Sequence, residues 1–447
     1  MNLIYGVKDR PSFGKVLVFA IQQLLAILAA TIAVPSIVGN GMSQSAALFG
    51  AGVGTLIYLL FTKFRSPVFL GSSFAFIGSM FAAFAGGVSM ELGYLGLIIG
   101  AAFAALVYVI IAIVVKFAGV RWVNYLMPPV VIGPTVAIIG LSLAGNAVSD
   151  TMGGIYDEAA SAYVMDTHAW ICFICAMVTL LVVIICSVFG KTMLKLIPFI
   201  IGIVAGYIVA TIFTLIGNAS GNAALQIIDF SAFNSMKWVP DFTFLTAVKG
   251  FSELNGTYIA TLAVAYVPVA FVVFAEHIAD HKNLSSIIGQ ELLEDPGLHR
   301  TMLGDGVGSF VGSIFGGCPN TTYGESVGCV AITGNASVIT IVATAVIAII
   351  ASFIGPFVTF LSTIPGCVMG GVCITLYGFI AVSGLKMLQP VDLNDNRNLF
   401  TASVILICGI GGMVIKIGEV TLTEIAVALI LGIIVNLILR DRGKKSK

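Results

Sequence analysis

Apolar positions in this chain do not alternate with polar ones, nor do they form a stripe; they come in long unbroken blocks. Blocks of this kind fall near residues 16–34, 45–62, 67–86, 93–115, 126–146, 169–189 and 196–217. A second set falls near 259–279, 302–317, 322–336, 338–362, 367–387, 399–415 and 423–440. Runs of about 20 apolar residues are what a helix needs to cross a bilayer. The first block, "KVLVFAIQQLLAILAATIAV", is long and lacks a small-residue cleavage site, so it reads as a span and not as a removable signal.

The pattern predicts an all-α polytopic membrane protein of fourteen spans. Seven spans on each side of a polar connection suggest a repeat whose second copy is inverted, a common plan for transporters. The expected boundaries are 1–217 for the first repeat, 218–258 for an extracytoplasmic connection, and 259–447 for the second repeat with a basic cytoplasmic tail. "MPPVVIGPTVAIIGLSLAG" (127–145) and "IPGCVMGGVCITLYGFIAVSG" (364–384) each place a Pro five residues before a Gly. "SPVFLGSSFAF" (66–76) and "CPNTTYGESVG" (318–328) are both Pro-led, polar interruptions at the start of the third and tenth spans. Non-helical backbone at membrane depth persists only where protein or a wet cavity satisfies its N–H and C=O groups. Two short extended pieces, one from each half, are therefore expected to meet and present backbone donors to a ligand.

Composition agrees with this picture. The 447 residues are 59% hydrophobic and 9% charged, against roughly 25% charged in soluble domains. Net charge is zero, so no nucleic-acid or other polyionic partner is implied. With loops assigned alternately, only Lys237, Lys249 and Lys416 of the 21 Lys and Arg fall opposite the N-terminal side. By the positive-inside rule both termini are cytoplasmic. All eight Cys lie in or beside apolar runs and read as small embedded hydrophobes. Cys172 and Cys175 have metal-like spacing, but no second pair or nearby His completes a metal site in the sequence.

Four carboxylates stand at membrane depth: Glu276, Asp280, Asp305 and Glu325. Each costs roughly 2.5–3.5 kcal/mol to insert at a helix centre, so they mark function. In "AEHIADH", Glu276 and Asp280 are four residues apart and share one helix face. His277 and His281 form a second stripe, expected at the solvated membrane interface. His168 and His299 fall in predicted loops. Asp305 lies in "MLGDGVGSFVGSIFGG", whose glycines favour close helix approach; "GDGVG" follows no strand and lacks a phosphate-binding Lys, so it is no nucleotide loop. A carboxylate only accepts hydrogen bonds and a backbone N–H only donates. A flat ring with alternating N–H and C=O groups would satisfy both, and a pyrimidinedione fits. Its N–H groups would go to Glu276 and Glu325, its carbonyls to amides near Phe74 and Gly324. Phe74 and Tyr323 would stack on its faces.

"CPNTTYGESVGCVAIT", "AEHIADH" and "GSSFAF" resemble the nucleobase–ascorbate transporter family, the nucleobase:cation symporters, and within it the bacterial uracil permeases. The likeness covers nearly the whole chain, including "EDPGLHRTMLGDG" and "PGCVMGGV". It implies two inverted seven-helix repeats arranged as core and gate domains, proton-coupled uptake and a homodimer. By position, Glu276 matches the substrate-binding Glu of the eighth span, and Phe74 a third-span residue that meets the base. Gly324 and Glu325 match the tenth-span pair opposite. Tyr323 and Tyr377 match aromatic wall positions, and Ala30 a small pocket residue. Asp280 falls where the best-known uracil permease has a His and much of the family an acid. If that position handles the coupled proton, Asp280 does so here; Glu276, Glu325 and Asp305 are the other membrane-depth candidates for proton coupling. Two positions depart from the pattern: Ser326 replaces an Asn, and Gln22-Gln23 replaces Gln-His, while Gly328, Thr333 and Gly334 fit. Purine transporters of the family tend to have Gln at the position of Glu325, which favours uracil.

The expectation is a proton-coupled uracil importer, multi-pass in the cytoplasmic membrane, with no cofactor, no metal and no enzymatic chemistry. The rival readings are a xanthine or purine symporter of the same fold and a sodium-coupled nucleobase transporter. An anion transporter of related architecture would want a positive site, and no Lys or Arg stands at membrane depth.

Overall fold

The computed structural model describes residues 3–119, 121–191, 193–417 and 420–439. The chain is predominantly helical and multi-pass. The helices of the first half are α1 (Phe13–Val38), α2 (Gln44–Phe61), α3 (Ile77–Phe84), α4 (Met90–Ala118), α5 (Arg121–Leu126), α6 (Pro129–Ser142), α7 (Ala144–Met152), α8 (Thr167–Phe189), α9 (Met193–Leu196) and α10 (Pro198–Ser220). Those that follow are α11 (Thr243–Ala247), α12 (Gly256–Ile288), α13 (Leu298–Gly316), α14 (Gly324–Thr333), α15 (Val338–Ala351), α16 (Gly355–Ser362), α17 (Gly366–Lys386), α18 (Asn396–Ile410) and α19 (Glu424–Leu439). The expected basic tail from residue 440 onward lies outside the described residues.

Length and apolarity single out eight helices able to cross a membrane among the described residues. The number is nine if α15 and α16, bent by 83°, count as one span. The other predicted spans are shorter, broken or, in the 19-residue α13 with its His, Arg and Asp, less apolar, for local reasons. The block near 67–86 opens with strand β1 (Leu70–Ser72) and a 3-10 turn, Phe74–Phe76, before α3. The block near 322–336 opens with strand β4 (Asn320–Thr322) before α14. The block near 399–415 stops at α18, where Gly412 takes a φ of +65°, and the chain turns into a small ribbon, Ile415–Ile417 with Val420–Leu422. A second exposed hairpin, β2 (Ile155–Asp157) with β3 (Ala162–Val164), caps the loop before α8.

Strands β1 and β4 pair antiparallel, with Leu70 opposite Thr322 and Ser72 opposite Asn320. So short a ribbon would leave orphan backbone groups in an apolar interior. Side chains take them up. Thr55 Oγ1 accepts from the Leu70 amide at 2.9 Å, and Ser309 Oγ accepts from the Asn320 amide at 2.9 Å. The Ser73 amide reaches the Pro319 carbonyl at 2.9 Å.

The ribbon is held by α2 and α13, which approach closely because glycine faces glycine. A Cβ on Gly50 would lie 2.4 Å from the Gly312 carbonyl oxygen, and one on Gly54 would lie 2.7 Å from that of Gly308. The contact buries Asp305 completely between α2, α4 and α12. Helix α12 begins where Asn255 accepts from the Tyr258 amide, runs 33 residues through Pro268, and stops at the left-handed Gly289. It carries the whole "AEHIADH" segment past the ribbon.

Candidate substrate site

Each strand of the ribbon runs directly into a helix, so two helix N-termini emerge from the ribbon, one at each of its ends. The first N–H groups of a helix lack intrahelical partners and carry partial positive charge. One such end is the turn at Phe74; the other is the first turn of α14, which holds Glu325. Helix α12 passes alongside and contributes Glu276 and Asp280.

A cavity of about 440 Å³ opens beside this junction. Glu276, Asp280, Gly324 and Glu325 line it together with Ala26, Phe199, Asn283 and Ser383. Four of the residues singled out in the sequence thus share one wall. The volume suits a small heterocycle. Lys195 also lines the cavity, in an exposed position. That qualifies the expectation of no cation near the site, although carboxylates outnumber it three to one among the lining residues.

The remaining candidates stand behind that wall. Phe74 packs edge-on against Tyr377, with ring centroids 5.8 Å apart, and both are buried. Tyr323 lays its ring over Gly71 and donates its hydroxyl to the Ser72 carbonyl at 2.8 Å. Ala30 is 1% exposed and does not line the cavity; Ala26, one helical turn earlier, does. Asp305 does not reach the cavity either.

Adjacent residues of a strand point to opposite faces, and β4 uses this to address two acids. Thr322 donates to Asp280 Oδ2 at 2.8 Å, while Thr321 faces Asp305 Oδ2 at 3.5 Å. Asp305 is in turn 2.7 Å from His277 Nδ1. The far nitrogen of that ring, Nε2, lies 2.9 Å from the Thr301 hydroxyl, which donates to the Leu298 carbonyl. Nε2 is then the donor to Thr301, and one proton is shared between Nδ1 and Asp305. His281 stacks on His277 with centroids 4.0 Å apart, donates from Nδ1 to the His277 carbonyl at 2.8 Å, and meets the Tyr58 hydroxyl through Nε2 at 2.7 Å.

The expectation that both imidazoles are interfacial and solvated is therefore overturned: each is fully buried. Their partners lie on α2 and α13, far away in sequence. An imidazole in an apolar run next to a membrane-depth Asp was the available signal, since such groups pair.

The two positions that depart from the family pattern touch each other. Gln23 donates from Nε2 to Ser326 Oγ at 2.6 Å, and Ser326 Oγ accepts from the Phe69 amide at 3.0 Å. Ser326 thus ties α1, the approach to β1 and the helix that carries Glu325.

The sequence pattern of the permease family matches residues 14–418. The uracil permease of Bacillus caldolyticus is 41% identical over 450 residues, covering 99% of this chain and 96% of its own. That of Escherichia coli strain K12 is 34% identical over 437 residues, covering 97% and 94%. Among solved structures, the transmembrane domain of the cyanobacterial bicarbonate transporter BicA aligns with a TM-score of 0.66 at 13% identity, over 96% of this chain and 99% of that one. At that identity the likeness concerns the fold alone. The relatives are permeases, which move solutes and are not enzymes. Given that match across residues 14–418 and relatives of this identity along nearly its full length, the chain belongs to the nucleobase–ascorbate transporter family of permeases.

Proposed function

We propose that this permease is a proton-coupled symporter that imports uracil across the cytoplasmic membrane. The observation that carries the reading is the cavity wall in which Glu276, Asp280 and Glu325 converge at the N-terminus of α14. Carboxylates accept from the ring N–H groups of a pyrimidinedione, and the amide ends near Phe74 and Gly324 donate to its carbonyls. Relatives named uracil permeases support the choice of base. An anion substrate is disfavoured by a wall of three acids with one exposed Lys.

The same reading takes the chain as fourteen spans in two inverted repeats, with both termini inside. Two matching pairs of segments support it, because each pair meets across the interior as a two-fold axis requires. One pair is β1 with β4. The other is α6 with α17, where a Cβ on Gly384 would lie 2.3 Å from the Ala137 amide nitrogen. In the cycle, a carboxylate of the Glu276, Asp280 and Glu325 set takes up a proton from outside, and uracil completes the site. The gate helices then move past the core, and lower proton activity inside favours release. Burial disfavours a carboxylate's charged form, which is what lets such a group load a proton.

The test is equilibrium binding of labelled uracil to the purified Glu276→Gln protein. An amide offers one acceptor where the carboxylate offers two, so binding is expected to fall at least tenfold. Wild-type affinity would remove Glu276 from the site.

A further inference from the structure

A second cluster of reactive side chains lies away from the cavity, at the start of α8. Cys172 and Cys175, read from the sequence as embedded hydrophobes, are joined there by two residues from elsewhere in the sequence reading. His168, assigned to a loop, is in the first turn of α8 and brings Nε2 to 3.5 Å from Cys172 Sγ. Cys367, at the start of α17, is buried beside Cys172 and Cys175 where α17 packs against α8.

The arrangement has chemical direction. His168 Nδ1 lies 3.2 Å from the Ala224 carbonyl oxygen, which can only accept, so Nδ1 carries the ring proton. In the neutral imidazole Nε2 then holds the lone pair, and it faces the Cys172 S–H. A nucleophile, a base beside it and a third group orienting the base is the arrangement that activates a thiol. Among the described residues no group is arranged to hold a metal ion. Cys172 is 6% exposed, Cys175 fully buried and Cys367 4% exposed, while His168 beside Cys172 is half-buried.

We propose that Cys172, His168 and Cys367 form a hydroperoxide-responsive modification site that closes a disulfide between α8 and α17. His168 Nε2 takes the Cys172 proton. The thiolate attacks the peroxide, the O–O bond breaks, and Cys172 becomes a sulfenic acid. The departing alkoxide or hydroxide takes the proton from His168. The Cys367 sulfur then attacks the sulfenyl sulfur, and the departing hydroxide takes the Cys367 proton as water. Two thiols are oxidised to one disulfide, and one hydroperoxide is reduced to an alcohol or water together with that second water.

The experiment treats the full chain in lipid nanodiscs with hydrogen peroxide, blocks free thiols, digests the protein and identifies the peptides by mass spectrometry. The expected product joins the Cys172 and Cys367 peptides and separates on reduction. In Cys367→Ser, Cys172 should accumulate as a sulfenic acid that dimedone traps. In His168→Gln, which keeps polarity and similar volume, oxidation of Cys172 should slow at least tenfold. Each variant is first shown to elute as a single species and to exchange uracil like wild type. A Cys172–Cys175 or Cys175–Cys367 product would overturn the assignment. So would Cys172 reacting no faster than Cys318, or at the same rate without His168.

Discussion

At the residue scale the site separates acids that face the cavity from one that does not. Asp280 lines the cavity and is held by Thr322, whereas Asp305 is sealed behind β4 against His277. Asp280→Asn should therefore keep uracil exchange across vesicles and lose accumulation driven by a proton gradient. Undiminished uphill uptake by that variant would release Asp280 from coupling. His277→Leu should act on folding: it strands a buried acid, at a cost of about 3–5 kcal/mol. Thermal unfolding of the purified protein measures this, and an unchanged midpoint would show that the pair is not structural. The four acids at membrane depth were legible because charge in an apolar block is expensive. Their division of labour was not, because it depends on Thr321, Thr322 and Thr301, whose hydroxyls carry no signal in an apolar sequence. Nor could the sequence show that Gln23 and Ser326, two separate departures from the family pattern, meet at 2.6 Å. A double-mutant cycle with Gln23→Ala and Ser326→Ala should give a coupling of roughly 0.5–3 kcal/mol in uracil binding. Strict additivity would mean that the contact does nothing for the site.

At the element scale, the Pro-led interruptions announced broken helices, and the structure pairs them as β1 and β4. The pairing was readable in outline because both pieces are short, polar and flanked by glycine. The lengths of the spans were less so, since hydropathy does not see where a strand or a glycine stops a helix, as at Gly412. The ribbon depends on the close approach of α2 and α13. Gly50→Ala places a methyl 2.4 Å from a backbone oxygen that no rotamer change can move. Its expected cost is about 1–3 kcal/mol, seen as a lower unfolding midpoint and weaker uracil binding. Gly145→Ala, with nothing within 4 Å of the added Cβ, should leave both unchanged or slightly raise the midpoint. Equal effects at the two glycines would contradict the packing argument.

At the scale of the whole molecule, sequence and structure agree on a multi-pass permease, and the acids proposed to meet the substrate lie near the junction of strand and helix ends. The fold is shared with a bicarbonate transporter at 13% identity, so the scaffold does not choose the solute. In the proposed reading the choice falls to the acids on the cavity wall, and the energy source to whichever of them exchanges a proton. The measurement that tests this most directly is uptake of labelled uracil into proteoliposomes, with and without an inward proton gradient and with that gradient collapsed by a protonophore. The account predicts accumulation above equilibrium only while the gradient stands, and competition by excess xanthine should be weak. Equilibrative uracil entry indifferent to the gradient, or no uracil entry at all, would contradict it.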